Sequence, residues 1–277
     1  MNAEGKKILI IGTGKSGIAA AQLLLAKKAV PVLFDGNEKT DPQEVRRKLP
    51  EGSGVKVLTG ELPDEELEGI SLAVFSPGVP VDTPFAERIR KRGIPVWGEV
   101  ELGYAFLKGR LIAITGTNGK TTTTALTGQI MRDYYESVFI VGNIGDPITA
   151  EAAKTREDSV TVAEISSFQL ETAVDFHPQV SAVLNITPDH LNRHHTMENY
   201  AAVKESITKN QTGEDTCVLN YSDPWTRSMG ERCPAHVVWF SSKEQPPEGL
   251  YLDGEEIWRT ADGWRERVMN IHETQLP

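Results

Sequence analysis

Leu111-Ile112-Ala113-Ile114-Thr115-Gly116-Thr117-Asn118-Gly119-Lys120-Thr121 is an apolar run that enters a glycine loop with a lysine and hydroxyls behind it. Residues 111–114 read as a buried strand. The residues after Lys120 read as the start of a helix, whose free N–H groups and dipole favour an anionic phosphate. Gly116, Thr117, Asn118, Gly119, Lys120, Thr121 and Thr122 are therefore the expected nucleotide-binding residues. Lys120 would reach the terminal phosphates and the Thr121 hydroxyl would take a magnesium position. The spacing is shorter than G-x-x-x-x-G-K-[ST], which needs glycine where Ile114 stands. By itself the motif supports phosphate binding, with ATP or a similar nucleotide as the ligand. A plain glycine turn with an exposed lysine is the alternative.

The chain around this loop has 277 residues, 39% hydrophobic and 25% charged, an ordinary make-up for a soluble globular protein with room for two domains. A net charge of -10 argues against a nucleic-acid or membrane-surface binder, since both need a basic footprint. The start runs into a strand with no signal-peptide pattern, and no apolar stretch is long enough to span a bilayer. Cys217 and Cys233 have no metal spacing, so unpaired thiols in a reducing cytoplasm are expected.

Residues 7–11 read as a strand, 16–28 as a helix rich in Ala and Leu, and 30–34 as a second strand ending at Asp35, a βαβ unit. Further strands are expected at 55–58, 72–75 and 94–96, with a helix near 85–92. This defines a Rossmann-like parallel-sheet domain over residues 1–95. Residues 96–277 are expected to form a P-loop mononucleotide-binding α/β domain. Its strands fall at 111–114, 138–141, 160–165, 180–186, 217–220 and 237–240. Asp253-Gly254 and Asp262-Gly263, set between strand-like runs in 249–271, predict a small antiparallel meander.

Gly12-Thr13-Gly14-Lys15-Ser16-Gly17 follows the first strand, and Asp35 sits at the offset of a ribose-binding carboxylate. Alone this reads as a dinucleotide site for NAD, or as glycines that serve only helix–sheet packing. The second phosphate loop downstream weighs against a dehydrogenase. Ser76-Pro77-Gly78-Val79 ends a later strand, where ligands of open α/β sheets bind. Glu164 ends the strand beside the phosphate loop, a suitable place for Mg²⁺. His190 lies in a polar loop with Asp189, Arg193, His194 and His195. Lys204, in a helix over 197–209, has a solvated side chain as its default.

Together the Gly-Thr-Asn-Gly-Lys-Thr loop, Gly142-Asn143-Ile144-Gly145, the run from Glu164 through Ser166, Phe168 and Gln169 to Glu171, Thr187-Pro188-Asp189-His190 and Tyr200 to Lys204 resemble the Mur ligases of peptidoglycan synthesis. The resemblance covers the chain from residue 7 onward. The Ser-Ser-Phe-Gln-Leu-Glu run points to the branch that adds D-glutamate to UDP-N-acetylmuramoyl-L-alanine. It implies an ATP-dependent ligase working through an acyl phosphate, with Mg²⁺ at two sites, active in the cytoplasm as a monomer. Lys120 would stabilise the moving phosphoryl group, and Thr121 and Glu164 would hold one Mg²⁺. His190 would contact the second, and Lys204 matches a lysine that carries a carbamate and so becomes an oxygen ligand. Asn143, Ser166 and Gln169 would face the reacting carboxylate. Gly14, Lys15, Ser16, Asp35, Ser76, Pro77, Gly78 and Val79 would hold the uridine diphosphate part.

Gly36-Asn37 replaces a Thr-Arg pair found in some members, and Asn192 stands where some have aspartate. A third domain of the family, which completes the ATP site and binds D-glutamate, is expected to follow the Leu276-Pro277 ending. On that reading the chain is a ligation-incompetent fragment. The rivals are another Mur-type amide ligase, an NAD-binding oxidoreductase and a non-catalytic nucleotide-binding module.

Overall fold

The computed structural model describes residues 1–273, so the Leu276-Pro277 ending lies outside the described residues. Its first part is a parallel sheet in the order β3-β2-β1-β4-β5. The elements are β1 (Lys7–Ile11), α1 (Lys15–Ala26), β2 (Val30–Asp35), α2 (Pro42–Arg47), β3 (Lys56–Thr59), β4 (Ile70–Phe75), α3 (Pro84–Lys91) and β5 (Val96–Gly98). The strands are continuously apolar because both faces are covered. Ile8, Ile10, Leu33, Leu72 and Val74 pack into one layer, and Leu9, Ile11, Phe34, Ala73 and Phe75 into the other. The short α2, which hydrophobic periodicity does not announce, starts at Pro42 under an Asp41 cap.

The fifth strand is Val96–Gly98 instead of 94–96. The Ile94 N–H is drawn back to Ile89 O at the end of α3, and Pro95 has no N–H for the ladder. The first sheet thus runs past the expected division at residue 95.

A second, nine-stranded sheet follows in the order β14-β13-β12-β11-β10-β9-β6-β8-β7. Its elements are α4 (Glu99–Tyr104), β6 (Arg110–Thr115), α5 (Lys120–Arg132), β7 (Val138–Gly142), α6 (Ile148–Glu151), β8 (Val160–Glu164), α7 (Ser167–Leu170) and β9 (Val180–Val183). They continue as α8 (Leu191–His194), α9 (Met197–Glu205), β10 (Thr216–Asn220), α10 (Pro224–Gly230), β11 (His236–Ser241), β12 (Gly249–Asp253), β13 (Glu256–Ala261) and β14 (Trp264–Asn270). The meander β12–β14 forms as expected. It does not stand apart, because β12 joins β11 in parallel and extends the main sheet. Asp262 and Gly263 both have positive φ (49° and 81°), the requirement of a tight two-residue hairpin turn.

β9 stops at Val183, short of the expected 186. Leu184 still donates to Thr115 O, but the Ile186 N–H goes to the Asp223 carboxylate, so the chain leaves the ladder there. The two sheets are joined through α4. Glu101, buried, accepts the N–H groups of Val174, Asp175 and Phe176, and buried Glu99 accepts the N–H and hydroxyl of Thr149. Burial raises the Glu99 pKa above the usual carboxylate range. No helix among the described residues is long and apolar enough to cross a membrane.

Candidate active site

The loop after β6 turns on Gly116 (φ 142°) and Gly119 (φ 83°), a left-handed backbone that L side chains disfavour. Asn185, beyond β9, holds the loop's shape. Its carbonyl accepts from Thr117 N at 2.9 Å, its Oδ1 from Asn118 N at 2.8 Å, and its Nδ2 donates to Asn118 O at 3.0 Å. Lys120 opens α5 and folds back to donate to Thr117 O at 2.8 Å. Thr122 lies exposed on the same first turn.

Glu164 ends β8 opposite Ile114 of β6, nearly fully buried. Both its oxygens accept hydrogen bonds at 2.8 Å, one from the Thr121 hydroxyl and one from Asn143 Nδ2. This carboxylate and hydroxyl form a hard-oxygen pair beside a phosphate loop, the donor type Mg²⁺ takes together with substrate phosphates. No cluster of three or more His, Cys, Asp or Glu side chains arranged for a metal occurs among the described residues. A cation here would therefore draw its remaining ligands from phosphate or water.

Lys204 departs from the default of a solvated lysine. Its side chain is buried under the loop and donates to Gly116 O at 2.9 Å and Thr115 Oγ1 at 3.3 Å. Burial, helped by the Lys120 charge, lowers its pKa to about 7. Lys120, Asn143, Ser166, Phe168, His190 and Lys204 line one cavity of about 110 Å³.

His190 has a left-handed backbone (φ 51°), and its ring lies 4.8 Å from that of Phe168. The Arg193 guanidinium stacks over the same Phe168 ring at 4.5 Å and forks onto Glu171. The sequence pattern gives Asn185, Phe168, Glu171 and Arg193 no individual role. Only their tertiary contacts reveal one. Ser166 and Gln169, expected at the reacting carboxylate, also form the capping box of α7 and so bond to each other.

The other crevice lies where β1 and β4, adjacent in the first sheet, send their connections apart. Gly14, Lys15, Ser16, Asp35, Ser76, Pro77, Gly78 and Val79 all line a cleft of about 450 Å³, closed on the far side by Asn143 and Gln169. Asp35 is held by the N–H groups of Thr13 at 3.2 Å and Asn37 at 3.0 Å, and by the Thr13 hydroxyl. The Ser76 hydroxyl oxygen is buried without a hydrogen-bond partner among the described residues. Gly17 serves packing, because a Cβ there would lie 1.9 Å from Gly12 O. Gly14, by contrast, faces open space. Lys15 lines the cleft, yet its ammonium is bonded to Gly145 O and paired with Asp146 at 3.1 Å.

Two α/β sheets, each with a glycine loop at the carboxyl end of a strand, and two cavities that share Asn143 define an α/β protein with two crevices at strand ends. Residues 6–98 match the Mur ligase MurD-like N-terminal domain and residues 114–274 the Mur ligase middle domain. The chain belongs to the Mur ligase family. It is 54% identical over 277 residues to a protein of Lachnospira eligens named UDP-N-acetylmuramoylalanine--D-glutamate ligase. It is 50% identical over 276 residues to a protein of the same name from Lachnoclostridium phytofermentans. Each match takes in 100% of this chain and 61% of the relative, so the chain spans about three-fifths of their length.

Among solved structures it resembles the UDP-N-acetylmuramate:L-alanyl-gamma-D-glutamyl-meso-diaminopimelate ligase of Neisseria meningitides, with a TM-score of 0.60, 18% identity, and coverage of 96% of this chain and 87% of that one. It also resembles the UDP-N-acetylmuramate-alanine ligase of Thermotoga maritima, with a TM-score of 0.53, 21% identity, and coverage of 96% and 62%. At such identities the likeness establishes the fold alone.

Proposed function

We propose that this chain supplies the substrate-binding and ATP-binding parts of a ligase that joins D-glutamate to UDP-N-acetylmuramoyl-L-alanine. One observation carries the reading: Asn143 lines both the 450 Å³ cleft of the first sheet and the 110 Å³ cavity behind the phosphate loop. A uridine nucleotide in the cleft would direct its far end toward Asn143, and ATP on the loop would direct its terminal phosphate to the same place.

On this reading a carboxylate oxygen of the bound substrate attacks the terminal phosphorus of ATP, ADP leaves, and an acyl phosphate results. The D-glutamate amine then attacks the acyl carbon and phosphate departs. The chain's own contribution is alignment and charge neutralisation. The Lys120 ammonium lies beside the path of the phosphoryl group, the Asn143 amide orients the acceptor, and Thr121 with Glu164 would hold one Mg²⁺. Bound Mg²⁺ would supply further neutralisation of phosphate charge. His190 and Lys204 would serve a second ion.

Lys204 suits a carbamate because a pKa near 7 leaves much of its amine neutral, and only the neutral amine adds to CO₂. The product is an anionic oxygen donor in place of a cation. Carbon-13 NMR of the protein in labelled bicarbonate with Mg²⁺ tests this; a carbamate resonance that survives in Lys204→Met would remove Lys204 from that role. Calorimetry with UDP-N-acetylmuramoyl-L-alanine, against NAD as the control, tests the whole reading. Heat with the uridine nucleotide alone is the expected result. Heat with NAD alone would overturn it in favour of an oxidoreductase.

A further inference from the structure

The cleft that would take the uridine nucleotide carries at its edge a cation already paired with a carboxylate. Lys15 lines both this cleft and a second groove, of about 460 Å³, between α1 and α6. Asp146 lines the second groove and Gly145 the cleft. The Lys15 ammonium sits between the two, bonded to Gly145 O and paired with Asp146 at 3.1 Å. Lys15 and Asp146 are both well exposed, at 65% and 59% of their side-chain surface, so the pair is weak and exchanges readily. Gly14 beside it leaves open space toward the cleft, where a backbone N–H and a swung ammonium would meet an anion.

We propose that Asp146 is an internal competitor for the diphosphate of the bound nucleotide. It pairs with the Lys15 ammonium at the edge of the cleft, and the diphosphate takes the ammonium from it, so Asp146 sets the affinity of the cleft for phosphate without touching the ligand. This rests on the uridine-nucleotide reading of the cleft. The pair links α1 to the 142–146 loop. That loop carries Asn143, which bonds Glu164, which bonds Thr121 of the phosphate loop.

The test is calorimetry on the 277-residue chain with UDP and with uridine, in saturating ADP so that the phosphate loop is filled, at low ionic strength. Asp146→Asn is expected to tighten UDP about threefold or more while leaving uridine unchanged, in line with the loss of an exposed ion pair. Lys15→Met is expected to weaken UDP binding and to erase the gain from Asp146→Asn in the double variant. Raising the salt should shrink the gain. UDP binding that Asp146→Asn leaves unchanged or weakens, or an equal gain for uridine, overturns the competition while the cleft assignment stands. A wild-type chain that binds neither UDP nor UDP-N-acetylmuramoyl-L-alanine at millimolar concentration overturns the cleft assignment and the competition with it.

Discussion

The loops after β1 and after β6 follow one plan, strand then glycine turn then helix, yet their surroundings differ. Around the first, Gly17 lets the helix close on the Gly12 backbone, and the nearest cation, Lys15, is exposed and paired with Asp146. Around the second, Lys120 bonds back into the loop and Lys204 is buried beneath it, with Glu164 as the neighbouring carboxylate. Burying Lys204 beside the charge of Lys120 is costly, as its lowered pKa records. A loop that only holds a ligand does not need that arrangement.

The strongest way to break this contrast is through Lys204. Its folded pKa, about 7, lies below its ordinary value of 10.5, so between those pH values the unfolded chain binds more protons than the folded one. The burial penalty is fully present below pH 7 and is relieved as pH rises toward 10.5. Relative to Lys204→Met, the wild type should therefore gain stability across that window, by roughly 5 kcal/mol at about 1.36 kcal/mol per pKa unit. Urea unfolding of both proteins across the range measures it. A difference that stays flat would mean that Lys204 is not desolvated.

Next in size is Gly17→Ala, whose methyl would meet Gly12 O at 1.9 Å. We expect a loss of about 3 kcal/mol in the same measurement, at the upper end of what overpacking costs. Near-normal stability would show that the first loop is not held by packing. Lys120→Ala should weaken Mg-ATP binding by a charged hydrogen bond, about 1.5 to 3 kcal/mol or roughly 10- to 100-fold, and leave the uridine nucleotide unaffected. Equal losses of both ligands would erase the division of labour between the loops. The smallest effect is expected for Gly14→Ala, which has nothing within 4 Å of the new methyl. Its stability should change by about 0.5 kcal/mol or less, the range of an unstrained surface substitution. A larger loss would place Gly14 among the packing glycines with Gly17.

Much of this was legible in the chain because local chemistry is written in adjacent residues. Apolar strands followed by glycines place the loop of Gly116 and Gly119 at a strand's end, and the alternation of sheet and helix fixes an α/β fold. Asp262-Gly263 demands a left-handed turn wherever it sits. The limits of β5 and β9 were not legible. They depend on whether an N–H finds the next strand or a competing acceptor, Ile89 O for Ile94 and the Asp223 carboxylate for Ile186.

The same division runs through the site. The sequence by itself determined the phosphate loop, the two kinds of crevice and the residue types that line them, because a turn needs glycine and a phosphate needs N–H groups and a cation. Only the tertiary structure decided that Lys204 is buried, that Asn185 clamps the loop, that Arg193 forks onto Glu171 over Phe168, and that Lys15 turns toward Asp146. Burial and ion pairing depend on what approaches from distant parts of the chain. A lysine reads the same in one dimension whether it ends in water or under a carbonyl.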